Sequence, residues 1–166
     1  MLFESERLYY RVWRTDDVSV GIKLWGNEEV MKYIEPVLSE SQVALSIERG
    51  IEHYKSHGVQ LFAMVLKETN EVIGCCGLSV EDKDEKLYEF GIHIIPEFHR
   101  RGFGYEAGKA VLKFADTIDY KKIIAACHLE NIYSRKLLLK LGFIYKGDVW
   151  YDDTNRYESY FELERL

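Results

Sequence analysis

The order of hydrophobic and polar residues along the chain switches between a strand-like period of two and a helix-like period of about 3.6. The predicted strands, each bounded by polar residues, cover 7–13, 60–66, 72–80, 87–95, 121–127, 143–151 and 156–163. Apolar stretches joined by short polar turns are typical of antiparallel hairpins. The charged reversal at 81–86 and the segments 68–71 and 152–155 are accordingly interpreted as solvated turns.

Helical spacing fills the segments between these strands. Ser39 and Gln42 have the spacing of a capping box, and apolar residues then recur on one face, which predicts a helix over 40–56 that ends at Gly58. Further helices are predicted after 15–17, over 27–34, from 103 to about 117 and over 131–141. Together the elements predict an α+β domain with a mixed, mostly antiparallel sheet.

Composition and charge narrow the class of protein. The chain has 166 residues, with 22 Lys+Arg against 28 Asp+Glu and a formal net charge of −6, which argues against a nucleic-acid partner. Its longest apolar run, 61–66, is far shorter than the ~20 residues that span a bilayer. The acidic start at 4–6 is unlike a signal peptide. We therefore expect a single domain over 1–166 in the cytoplasm, without a membrane partner.

Cysteine and histidine spacing indicates neither a disulfide framework nor a metal site. Cys75, Cys76 and Cys127 lie in apolar stretches and form no C-x-x-C pair, and the five histidines are scattered. Since free cysteine behaves as a small hydrophobic residue, we expect buried, reduced thiols.

The segment 94–107 has the chemistry of a phosphate-binding loop. It lies where a strand gives way to a helix, and it contains Gly102 and Gly104 next to Arg100 and Arg101. A backbone without Cβ atoms can bring its N–H groups close to phosphate oxygens, and a helix N-terminus adds partial positive charge. A glycine-rich turn with solvated arginines is the alternative interpretation.

One nucleotide-binding hypothesis for this loop is a dinucleotide site. Residues 102–107 fit G-x-G-x-x-A, and Glu130 follows the next strand, where an acid could contact a ribose. That motif should follow its strand directly, however, whereas 96–101 intervene here, and the upstream hairpins are not βαβ units.

A second hypothesis comes from a resemblance to a known family. Residues 99–104, His-Arg-Arg-Gly-Phe-Gly, resemble the Gln/Arg-x-x-Gly-x-Gly/Ala loop with which GNAT acetyltransferases hold the diphosphate of acetyl-CoA. Asn131-Ile132-Tyr133-Ser134, followed by Lys140-Leu141-Gly142-Phe143, resembles a second segment of the same superfamily. The stretches at 4–11 and 27–34 are similar to the opening of its RimJ/RimL-like branch, so the likeness runs from 4 to about 143.

The resemblance implies a fold and a cofactor site. The twisted GNAT sheet splays open between the strands at 87–95 and 121–127, and the pantetheine arm of acetyl-CoA, the acetyl donor, lies in that gap. The residues that the resemblance assigns to the cofactor are the backbone groups of Ile92, His93 and Ile94, the loop residues His99, Arg100, Arg101, Gly102, Phe103 and Gly104, and the residues Asn131 and Ser134. His99 replaces the usual Gln or Arg, which backbone contacts should tolerate.

Direct acetyl transfer to an amine needs a base and a proton source. Glu89 is the predicted base, because it lies in an otherwise apolar strand where partial burial would raise its pKa; the alternative is a carboxylate that pairs with an arginine or points to solvent. His93 is a rival. Many superfamily members have a Tyr acid where this chain has Leu138, and the RimL-like branch suggests Ser134 instead, unless that hydroxyl bonds its own backbone. Tyr133 is a third choice.

The acceptor is the least defined part of the prediction. The resemblance implies a primary amine, either a protein N-terminus or a small amine, and a monomer or homodimer. Aromatic and acidic residues that suit a cationic amine are predicted to line the acceptor site, namely Trp13, Trp25, Tyr33, Glu35, Trp150, Tyr151 and Asp152, unless they belong to the core or to solvated turns. The alternative function is a non-catalytic CoA-binding or sensing domain.

Overall fold

A computed structural model describes residues 1–34 and 36–165. Its strands are β1 (Phe3–Glu4), β2 (Leu8–Arg11), β3 (Leu61–Leu66), β4 (Val72–Asp82), β5 (Leu87–Ile94), β6 (Lys122–His128), β7 (Ile144–Tyr151) and β8 (Arg156–Glu164). Its α-helices are α1 (Val18–Trp25), α2 (Glu28–Met31), α3 (Glu40–His57), α4 (Phe103–Ala115) and α5 (Ile132–Lys140). Short 3-10 turns lie at Thr15–Asp17 and Pro96–Phe98.

The strands form one mixed sheet, as predicted. Their order is β1-β2-β3-β4-β5-β6-β8-β7, and every neighbouring pair is antiparallel except β5 and β6. Because β5 and β6 are parallel, the chain crosses over through α4 between them. This crossover places the N-terminus of α4 beyond the end of β5, where the loop 95–102 joins them.

Helices cover both faces of the sheet, so the central strands are apolar on both sides. On one face, α4 packs Phe103, Ala107 and Val111 into a core that contains Phe62 and Phe161. On the other face, α1 and α3 contribute buried side chains to a second core, which contains Trp13, Leu24, Trp25, Val43 and Ile47.

Local sequence features explain the helix boundaries. The predicted capping box at α3 is present, with Ser39 accepting from the Gln42 N–H, and Gly58 ends this helix at φ 73°. The predicted helix over 27–34 is shorter, because only Glu28–Met31 is helical after the Asn27 cap. The segment after Thr15 begins as a 3-10 turn before α1. The two-residue strand β1, which is too short to have a periodic pattern, was not predicted.

Within residues 1–34 and 36–165, no helix combines the length and the apolar character needed to cross a membrane. The three cysteines are free and buried, as predicted.

Candidate active site

The sheet opens between its two parallel strands. β5 and β6 pair only at Leu87↔Lys122, Tyr88↔Ile123 and Glu89↔Ile124, and beyond Glu89 they diverge. A cavity of about 740 Å³ occupies the gap and reaches both faces of the sheet. The predicted splay of the sheet is therefore confirmed.

The pleat of β5 decides which backbone groups face this gap. The Ile95 N–H donates to the Ile73 carbonyl, and this bond continues the pairing of β5 with β4. Because hydrogen-bonded residues alternate along an antiparallel pair, His93 also directs its N–H and C=O groups toward β4. Ile92 and Ile94 direct theirs toward the gap. Of the three residues predicted to pair with the pantetheine arm, only Ile92 and Ile94 therefore have backbone groups that face the gap. His93 reaches the cavity with its side chain instead.

The loop before α4 presents unpaired backbone donors. Arg100 and Gly102 have left-handed conformations, with φ 57° and 80°. The first hydrogen bond of α4 runs from the Glu106 N–H to the Gly102 carbonyl, and the helix has no side-chain cap at its start. Among the described residues, the N–H groups of 100–105 donate to no protein acceptor. Consecutive N–H groups at such a turn and at a helix start form an anion-binding concavity.

The side chains of the loop link this anion-binding concavity to the cavity between β5 and β6, but they do not line the cavity itself. His99 Nε2 lies 2.8 Å from the Ile94 carbonyl oxygen, which ties the loop to the end of β5. Arg100 donates to the Tyr133 hydroxyl at 2.6 Å, and Tyr133 lines the cavity. Arg101 lies over the Phe98 and Phe103 rings instead. Phe103 is 2% exposed, so only its backbone is available to a ligand.

The predicted base, Glu89, lies where β5 and β6 part, with its side chain in the cavity. A bulge in β4 between Val80 and Asp82 brings Glu81 beside it. Burial raises the pKa of Glu89 to about 7, assisted by the negative charge of Glu81, a hydrogen bond that Glu81 accepts, and the charge of Asp153. Glu89 is thus neither paired with an arginine nor fully solvated.

His93 is a poor base in this position. Trp25 Nε1 donates to His93 Nδ1 at 3.0 Å, and because an indole can only donate, the neutral ring carries its proton on Nε2. Burial lowers the pKa of His93 to about 4. The ring is therefore neutral near pH 7 and cannot accept a proton at either nitrogen without breaking this arrangement.

Asn131 and Ser134 lie at the start of α5, on the cavity wall. The Asn131 side-chain oxygen accepts from the Ser134 N–H at 3.1 Å and caps the helix. Ser134 lies beside Cys127, whose thiol pKa is raised by burial and lowered in part by the Ser134 hydroxyl. Ser134 therefore lies on the cavity wall next to β6. Leu138 is 2% exposed in the core.

The seven predicted acceptor residues fall into three groups. Tyr33, Tyr151 and Asp152 line the cavity, whereas Glu35 lies outside the described residues. The prediction is wrong for three tryptophans. Trp13 and Trp25 are buried against each other in the core, with ring centroids 5.2 Å apart, and the exposed Trp150 packs on Tyr157. Large aromatic side chains fill cores as readily as pockets, so sequence alone did not separate the two.

Several polar residues of the cavity were missed by the sequence analysis. Glu81 had been assigned to a solvated turn, and Asp153, Arg156 and Glu158 belong to the last hairpin. Arg156 Nε donates to Glu158 at 2.5 Å, and its Nη2 donates to the Tyr33 carbonyl at 2.7 Å. These contacts attach the wall at 33–34 to β8. Only the acidic character of the turns could have pointed to them.

Comparison with known proteins identifies the class. Residues 7–144 match the family model of the acetyltransferase (GNAT) domain. The sequence is 31% identical over 146 residues to the uncharacterized N-acetyltransferase p20 of Bacillus licheniformis, across 86% of this chain and 82% of that relative. The chain belongs to the GNAT family of acetyltransferases and is therefore an acyltransferase.

The dinucleotide interpretation is wrong. A dinucleotide-binding fold has a mostly parallel sheet, whereas β5, α4 and β6 form a single parallel unit within an otherwise antiparallel sheet.

Solved structures show the same fold. A GNAT-family acetyltransferase from Bacillus anthracis superimposes with a TM-score of 0.85 at 25% identity, covering 98% of this chain and 97% of the other. RimL, the ribosomal L7/L12 alpha-N-protein acetyltransferase in complex with coenzyme A, gives a TM-score of 0.83 at 14% identity, covering 96% and 95%. These matches do not favour a non-catalytic CoA-binding domain.

Proposed function

We propose that this protein is an acetyl-CoA-dependent N-acetyltransferase of the RimJ/RimL-like branch, which acts on a primary amine in the cytoplasm. The observation that carries the proposal is the position of Glu89, a carboxyl group with a raised pKa at the point where the sheet opens. A base whose pKa is near the working pH can take up a proton from an amine and release it again.

The donor half of the cavity fits acetyl-CoA, which when bound supplies the acetyl group as a thioester. The N–H groups of 100–105 would bind the diphosphate, with the Arg100 side chain beside it. The backbone groups of Ile92 and Ile94 would pair with the pantetheine amides as a further strand does. Asn131 keeps its side-chain N–H groups available at the cavity wall.

In the acceptor half, Glu89 would remove the proton that an ammonium group must lose before it can react. At pH 7 this loss costs about 4.6 kcal/mol for an alkylamine with a pKa near 10.4, but only about 1 to 1.4 kcal/mol for an α-amine. On the donor side, Ser134 would hold a proton at Oγ for the departing sulfur, since this residue lines the cavity next to Cys127.

The charges of the acceptor half favour a cationic amine over a neutral or anionic one. Among the described residues, five carboxyl groups and one guanidinium line the cavity, and this guanidinium, that of Arg156, is already paired with Glu158. Tyr33 and Tyr151 add aromatic surface that suits ammonium groups. Both a protein N-terminus with basic neighbours and a small polyvalent amine meet this description, and RimL is an alpha-N-protein acetyltransferase.

The direct test is thermal unfolding in parallel with CoA, acetyl-CoA and NAD, followed by product detection. A ligand at 100 times its Kd adds about 2.7 kcal/mol of stability and raises Tm by several degrees. We expect a shift with both CoA species and none with NAD, and then acetylated product from acetyl-CoA and a panel of primary amines. No shift with CoA would contradict the proposal.

Replacing Glu81 by glutamine is expected to move the acid limb of the activity profile to lower pH. Burial keeps the pKa of Glu89 elevated in either protein, but the variant lacks the negative charge of Glu81 that raises this pKa further. Glu89 is active as a base when ionised, so its lower pKa extends activity downward in pH. If the midpoint falls by one pH unit from about 7, kcat/KM at pH 6 rises about fivefold.

The matched control for this prediction is Asp84→Asn, which removes a negative charge from the same reversal at an exposed position. It should leave the midpoint in place. An unchanged midpoint in Glu81→Gln would mean that the ionisation of Glu89 does not govern activity.

A further inference from the structure

The N-terminal arm, defined as residues 5–7 between β1 and β2, is attached to the start of α4 by a compact set of hydrogen bonds. Glu106 accepts at one oxygen from the Ser5 hydroxyl and the Arg7 N–H, each at 2.7 Å. Its other oxygen accepts from Arg7 Nε at 2.7 Å. Burial tends to raise the pKa of Glu106, but these bonds outweigh it and the pKa is lowered. Glu106 is therefore an ionised anchor for the arm.

The same arginine also holds the phosphate-binding loop. Arg7 Nη1 donates to the Arg101 carbonyl at 2.9 Å, and the guanidinium lies 4.2 Å from the centre of the Phe103 ring. A Cβ added at Gly102 would lie 3.5 Å from Arg7 Nη2, so the arginine packs directly against this residue. Arg7 thus contacts three consecutive residues of the loop from one side.

The direction of the Gly102 amide follows from this contact. In a trans peptide the C=O and N–H groups point in opposite directions. Because the Arg101 carbonyl points to Arg7, the Gly102 N–H points away from the arm, toward the concavity formed by 100–105. Glycine adopts φ 80° without strain, so this backbone angle does not by itself fix the orientation of the peptide, whereas the hydrogen bond from Arg7 to the Arg101 carbonyl does constrain it.

We propose that Arg7, held by Glu106, is a positioning residue for the cofactor: it orients the Arg101–Gly102 peptide so that the loop presents its N–H groups to the diphosphate of CoA. This inference rests on the proposed function, because the anion at the loop is taken to be that diphosphate. Arg7 itself contacts no part of the cavity.

The test compares two variants, Arg7→Met and Arg7→Lys, with the unmodified protein. Methionine keeps an apolar stem over Phe103, and lysine keeps the positive charge but lacks the guanidinium fork that contacts Glu106 and the Arg101 carbonyl together. We expect the Kd for CoA and the KM for acetyl-CoA to rise about tenfold in both, since a hydrogen bond to a charged group is lost or misdirected. The kcat should change less than twofold, because the diphosphate contact is the same in the ground and transition states.

S-acetylpantetheine, a donor that lacks the diphosphate, separates positioning from a loss of structure. Its kcat/KM should be the same in the variants and in the unmodified protein, and Arg49→Met, at an exposed arginine on α3, should change neither donor. An unchanged Kd for CoA, equal losses with both donors, or full recovery in Arg7→Lys would each overturn the inference. If one of these results is found while the unmodified protein binds CoA tightly, the proposed function still holds. If the unmodified protein does not bind CoA at all, both the proposed function and the inference about Arg7 are overturned.

Discussion

Glu89→Gln is expected to lower kcat about a hundredfold or more at pH 7 with an alkylamine acceptor, in the range that general-base catalysis contributes. Glutamine keeps the size of the side chain and its position where β5 and β6 part, but it cannot accept a proton. The loss should be smaller with an α-amine, because more of that acceptor is already neutral at pH 7. Steady-state rates with one acceptor of each kind measure the difference.

The pH profile gives this prediction a second readout. In the unmodified protein, kcat/KM should rise through about pH 7 as Glu89 ionises. In Glu89→Gln this rise of kcat/KM with pH should disappear. The difference in rate between the variant and the unmodified protein should narrow as the pH approaches the pKa of the acceptor, because the free amine then forms without a base. Glu71→Gln, the same change in an exposed turn, is the control. An unaltered profile and rate in Glu89→Gln would assign the base to another group.

Gly102→Val is expected to abolish measurable CoA binding, with a rise in Kd of at least about a hundredfold. Gly102 has φ 80° at the N-terminus of α4, and a left-handed conformation is strained for a residue with a Cβ and most of all for a β-branched one. The valine side chain would also approach Arg7. Relief of this strain requires the loop to change conformation, so several N–H donors to the diphosphate would be lost together. Calorimetric titration with CoA measures the effect.

Gly58→Val is the matched control for this loop variant. Gly58 ends α3 at φ 73°, and a Cβ there meets no atom within 4 Å. The two substitutions therefore impose a similar backbone strain and a similar loss of stability, but Gly58 lies far from the loop in the fold. We expect Gly58→Val to lower Tm and to keep the CoA affinity. If both variants bind CoA as the unmodified protein does, the loop is not the diphosphate site.

The sequence by itself determined most of the elements and suggested the loop that we propose as the donor site. Helices and central strands were predictable because each buries a face of regular period, as in α3 with its capping box. The loop 99–104 was predictable because its glycines and arginines are contiguous in the chain. Glu89 could be proposed as the base for a similar local reason, since it is an acid in an apolar strand.

The tertiary structure decided the features that depend on distant segments. The pairing of Glu81 with Glu89 requires a bulge in β4, which shifts the register by one residue and has no local pattern. Trp13 and Trp25 proved to be core residues, because burial depends on the helices that pack over them. The bond from the Arg7 N–H to Glu106 joins residues 99 positions apart. The periodicity of a sequence reports which face of an element is buried, but not which other element covers it, and the candidate active site is made of such contacts.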